Sequence, residues 1–106
     1  MPKLTLHSKE ITNANILKVQ VGTNCPQGGD HGHGGRTLFR LIDRASTSMR
    51  CRVNRGPLVE ASEIEIVLGG DAEHATFIEA LEFALRILQS EQSDMFRLET
   101  KEEDVN

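Results

Sequence analysis

Apolar and polar residues alternate along this chain in several short stretches, with the two-residue period of strands that bury one face. In residues 16–21, Leu17, Val19 and Val21 fall on one side, with Lys18 and Gln20 on the other. Residues 48–54 set Met49, Cys51 and Val53 against Arg50 and Arg52. Residues 64–68 set Ile64, Ile66 and Leu68 inward, with Glu63 and Glu65 outward. Leu4 and Leu6 predict a shorter strand over 3–7, after which 8–15, rich in Ser, Thr and Asn, reads as a connection. A further strand is expected over 37–43, with a turn over 44–47. A five-residue link from Asp43 to Met49 would then pair Arg40 with Arg52 and Ile42 with Arg50. The outer face would be basic, joined by Lys18, unless Glu63 and Glu65 pair across strands.

The period changes after Leu68. Gly69, Gly70 and Asp71 open a helix expected to run to about Gln89 or Glu91, with Asp71 as its N-cap and Glu73 at the positive end of the dipole. Glu82 and Arg86 form an i,i+4 pair in the favourable order. Strands followed by one late helix predict an α+β domain over 1–99: an antiparallel sheet of about five strands, with one long C-terminal amphipathic helix packed on one face. Residues 100–106 read as an acidic, frayed tail.

This helix is more apolar than a single sheet contact requires. From Phe77 to Leu88 its apolar side chains span an arc of about 220°, whereas a surface helix needs a stripe of about 100° or somewhat more. Phe83 and Ile87 form the surplus edge. A twofold homodimer would cover it. The competing arrangements are a curled sheet, or Met95, Phe96 and Leu98 folding back.

Composition narrows the partners. Twelve basic and 16 acidic side chains give a net charge of −4, and Trp and Tyr are absent. Both facts disfavour nucleic acid, which rewards clustered cations and aromatic platforms. Two cysteines, Cys25 and Cys51, do not make a disulfide framework. No stretch approaches the roughly 20 apolar residues of a membrane span, and the start has no secretory pattern. The expectation is a cytoplasmic protein without a membrane partner. Cys51, on an inward strand face, reads as a small buried hydrophobe.

One segment breaks every pattern. Residues 22–37, GTNCPQGGDHGHGGRT, hold six of the nine glycines. Connections in compact domains have a median of about 4–6 residues, and glycines add backbone entropy that folding must overcome. Such a stretch persists because it is simply mobile, or because something approaches its backbone closely.

Three chemistries compete here. Asp30, His31 and His33, with Cys25 nearby, are ligand types for a divalent metal such as zinc, nickel or copper, with His7 or His74 as remote donors. Alternatively, the amides around Gly28, Gly29, Gly34 and Gly35 could hold a small anion beside Arg36. Neither the Walker spacing nor the dinucleotide fingerprint is present. Finally, Cys25 with His31 or His33 and Asp30 has the residue types of a nucleophilic triad, though crowded in sequence.

The leading expectation is therefore a small binding module, with its site in the loop 22–36 and a small anion, small molecule or metal as ligand. One alternative is a metal-dependent hydrolase or cysteine-dependent enzyme using the same residues. Another is a structural interaction protein working through Phe83 and Ile87. A bland reading also stands: a loop that caps the sheet, its histidines solvated.

Overall fold

The computed structural model describes residues 3–24, 35–90 and 102–103. Six strands precede one helix: β1 (His7–Thr12), β2 (Ile16–Thr23), β3 (Arg36–Ala45), β4 (Arg50–Cys51), β5 (Val59–Glu60), β6 (Glu63–Gly69) and α1 (Asp71–Gln89). The fold is α+β, as the pattern predicts. Four strands form an antiparallel sheet in the order β1-β2-β3-β6, and β4 and β5 form a separate antiparallel pair. The chain divides into two compact units, Met1–His74 and Ala75–Asn106.

In the first unit, register carries the alternation through the whole sheet. Val19 stands opposite Leu41, and Leu41 opposite Ile64; Val21 stands opposite Phe39, and Phe39 opposite Ile66. Because opposed residues share a face, these form one apolar side. The other side carries a polar row across all four strands. The Gln20 amide donates to Ser8 Oγ (3.0 Å), and Arg40 donates to Gln20 Oε1 (2.8 Å) and to Glu65 Oε1 (2.8 Å). Glu63 adds a second carboxylate 3.5 Å from Arg40.

That row corrects the expected β3–β4 pairing. Arg40 faces Glu65 rather than Arg52, and Ile42 faces Glu63 rather than Arg50. The face is charge-balanced, not basic. The cause lies just after β3. The Asp43 carboxylate accepts the Thr47 amide (3.0 Å) and the Ser48 amide (3.2 Å), while Ser46 and Ser48 take left-handed backbone conformations (φ 61° and 58°). The chain thereby turns away from β3. β4 is then cut to two residues, because Asn54 and Arg55 (φ 53° and 59°) form a tight turn closed by the Gly56 amide on the Val53 carbonyl (2.9 Å). Cys51 is half-buried rather than fully enclosed.

The first strand also differs from expectation. Residues 3–6 are not strand, and β1 covers most of the stretch read as a connection. As an edge strand exposed along its whole length, β1 has no buried face to leave a periodic signature.

α1 begins in the first unit and ends in the second, at Gln89 as expected. Gly70, at φ 117°, is its N-cap: its carbonyl accepts the His74 amide (3.1 Å), which places Asp71 one position inside the helix. Phe83 is 41% exposed and Ile87 half-buried. Among the described residues no helix is long and apolar enough to cross a membrane. Met95, Phe96, Leu98 and most of the expected tail lie outside the described residues; Glu102 and Glu103 are exposed.

Candidate functional site

Burial points to one end of the sheet. Among the described residues none of the hydrophobic side chains is fully buried; the buried positions are Gly22, Gly35, Thr37 and Gly70. All four sit where β2 ends, β3 begins and β6 passes into α1. The best-enclosed part of the described chain is thus the polar root of the glycine- and histidine-rich loop.

The two sides of that root are locked together. The Asn24 amide donates to the Arg36 carbonyl (3.1 Å), and the Arg36 amide donates to Asn24 Oδ1 (2.7 Å). The Thr23 and Thr37 hydroxyls stand 2.9 Å apart, and the Thr23 hydroxyl also lies 3.1 Å from the Arg36 carbonyl. Asn24 reaches back to the Lys3 carbonyl with its side-chain amide (3.4 Å). The Gly70 amide donates to the Gly35 carbonyl (2.9 Å), which ties the loop's exit to the helix start.

Two glycines are closely approached, and at Gly22 the approach is by backbone. A Cβ on Gly22 would stand 2.5 Å from the Thr5 carbonyl oxygen and 2.9 Å from Leu6 Cδ2. A Cβ on Gly69 would meet the Arg36 guanidinium at 3.2 Å, because Arg36 lies across β6 at their paired positions. Arg36 also donates to the Gly35 carbonyl (2.8 Å).

Beside this root, the Asp71 carboxylate has one oxygen, Oδ1, shut off from solvent and without a hydrogen-bond donor among the described residues. Such an atom gives up its hydration without a compensating partner. A side chain at the N-cap bonds the free amides of the first turn. With Gly70 taking that position, Asp71 is displaced from the role. His74, one turn further, is half-buried; Asp71 and His74, three apart, share a helix face.

Of the residues proposed from sequence, Gly35 and Arg36 lie at the root. Cys25, Gly28, Gly29, Asp30, His31, His33 and Gly34 lie outside the described residues. His7 opens β1 opposite Val21, towards the same end of the sheet. Among the described residues no group of three or more His, Cys, Asp or Glu side chains could hold a metal ion. Asp71, read from the sequence only as an N-cap, is the residue beside the root that the sequence-proposed site did not include. Its signal was the preceding Gly69-Gly70, which allows the cap to move one residue back.

A second feature lies at the opposite end of β3. A cavity of about 310 Å³ opens beside the turn after β3, lined by Asp43, Ser46, Ser48, Met49, Glu60 and Ser62 among others. The Thr47 amide, with help from the Thr47 hydroxyl and the Ser48 and Ala45 amides, holds the Asp43 carboxyl below its ordinary range against the opposing effect of burial. Both Asp43 oxygens are occupied by these amides, so the carboxylate shapes the turn. No protein-family model, curated protein or solved structure matches the chain.

Proposed function

We propose that this protein is a small metal-binding module, its site formed where the loop 22–36 returns to the sheet beside Asp71. The observation that carries the reading is Asp71 Oδ1, an oxygen shut off from solvent and without a partner among the described residues, on the half-buried residue that follows the buried Gly70. A divalent cation satisfies such an oxygen; an anion would be repelled by it. Asp30, His31 and His33 supply the oxygen and imidazole donors, with Cys25 and His74 within the same ligand chemistry. The mix of nitrogen, oxygen and sulfur suits zinc, nickel or copper better than calcium or magnesium, which prefer all-oxygen sets.

The anion reading, built on Arg36 and the glycine amides, is weaker for two reasons. Arg36 directs one N–H to the Gly35 carbonyl. An anion at the root would also face the Asp71 carboxylate. The hydrolase alternative needs a metal with an open position for water. The proposed set of Asp30, His31, His33 and Asp71 would close a four-coordinate site, so the reading chosen is binding rather than catalysis.

The test uses tag-free protein equilibrated with zinc, desalted, and analysed for metal. One equivalent per chain is expected, falling with Asp71→Asn and with the double substitution His31→Ala, His33→Ala. Loss of a donor should weaken binding by at least the 10–100-fold typical of outer-shell partners. Zinc below stoichiometry, or retained undiminished by both variants, refutes the proposal.

A further inference from the structure

The four-stranded sheet ends in two edges of different chemistry, β1 and β6. An edge strand presents unpaired backbone amides and carbonyls, and proteins block unwanted pairing with charges placed along it. A twofold axis normal to the sheet preserves its faces. Two copies of one strand can then pair antiparallel only in registers where opposed residues differ by an even number.

For β1 the two longest such registers fail. Centring on Lys9 sets lysine directly against lysine, and centring on Glu10 sets glutamate against glutamate. Like charges directly opposite destabilise a pair. The β1 edge is guarded against itself.

β6, EIEIVLG, behaves oppositely. Centred on Ile66, all seven residues find an acceptable neighbour: Ile66 meets the partner's Ile66, Ile64 meets the partner's Leu68, Glu65 meets the partner's Val67, and Glu63 meets the partner's Gly69. No carboxylate stands directly opposite another. The pairing of β6 with β3 runs without a bulge, so nothing along it bends the outer edge away. Ile66 is 42% exposed and Val67 55%, although both lie in the middle of the strand. Among the described residues, no strand pairs with the outer side of β6.

We infer that β6 is a self-recognition edge, and that two copies of this chain join there into one continuous eight-stranded antiparallel sheet. This inference is independent of the metal site. It differs from the twofold expected through Phe83 and Ile87, which becomes an outcome of the test.

The test begins with light scattering of the full chain, where a mass of twice 11.8 kDa is expected. Val67→Glu places a second carboxylate against the partner's Glu65 twice per dimer and should weaken association by about tenfold. Phe83→Glu should leave it unchanged. In a Cys25→Ser, Cys51→Ser background, Ile66→Cys should oxidise to a covalent dimer, because directly opposed Cα atoms about 4.5–5.5 Å apart suit a disulfide. Ile64→Cys, opposed by leucine, should not. Circular dichroism keeps folding separate from association. A monomeric wild-type protein overturns the inference. So does a dimer abolished by Phe83→Glu but indifferent to Val67→Glu, or one in which Ile66→Cys cross-links no better than Ile64→Cys.

Discussion

Adding one methyl group at Gly22 tests whether the loop root is a rigid, closely packed platform. The new Cβ would stand 2.5 Å from the Thr5 carbonyl oxygen and 3.2 Å from the Thr5 carbonyl carbon, so backbone must move. Overpacking of this kind costs about 1–3 kcal/mol. Against that, replacing glycine by alanine within a strand regains about 0.5–1 kcal/mol of backbone entropy. The net expectation for Gly22→Ala is a loss of about 1–2 kcal/mol. In a domain of this size that corresponds to a fall in Tm of about 4–16 °C. Gly69→Ala provides the internal comparison. Its Cβ meets only the far end of the Arg36 side chain, at 3.2 Å, and a guanidinium can swing aside. Gly69→Ala should therefore be the milder substitution by about 1 kcal/mol. Urea unfolding of the three proteins, analysed with a common slope, measures the ordering. If Gly22→Ala proves neutral or stabilising, or no worse than Gly69→Ala, the close approach of residues 5 and 6 is not a stable feature of the fold.

Other consequences follow from the same geometry. Asn24→Ala removes the acceptor for the Arg36 amide and a donor to the Lys3 carbonyl, and should cost about 1 kcal/mol in urea unfolding; an unchanged midpoint would mean that the root closes without it. Arg40→Met deletes the centre of the polar row. Because Glu63 and Glu65 are substantially exposed, the expected loss is only about 1 kcal/mol, and it should shrink in high salt; a salt-independent loss would indicate a packing role instead. Asp43 has a depressed folded-state pKa, so its contribution is fully present above the ordinary carboxylate value, about 3.9, and is lost as pH falls through the lowered value. Wild type should exceed Asp43→Asn in stability at neutral pH, with the gap closing below about pH 4; a gap that stays constant down to pH 2 would contradict the amide-bonded carboxylate.

Much of the architecture was legible because burial of one face imposes a period. β2 and β6 show it in Leu17, Val19 and Val21 and in Ile64, Ile66 and Leu68, and the helix shows it from Phe77 onwards. β1 was misplaced because all its residues are exposed, and no local signal distinguishes a solvated strand from a link. The Arg40–Glu65 pairing joins residues separated by 25 positions, so no local pattern specifies it. Adjacency along the chain suggested β3–β4 instead, and the Asp43 turn prevented it. At the candidate site, glycine content singled out the loop, of which the described residues include only the two ends. It did not reveal that Gly70 would cap the helix, with Asp71 one position inside it and its Oδ1 without a partner among the described residues.

The most direct measurement is a zinc titration of isotopically labelled, tag-free protein followed through its backbone amide resonances. The account predicts shifts at His31, His33 and Gly35, and at Gly70, Asp71 and His74, that advance together and stop at one equivalent. Shifts restricted to the loop histidines, or drifting without saturation while Asp71 and its neighbours stay still, would contradict a metal held between the loop and the start of the helix.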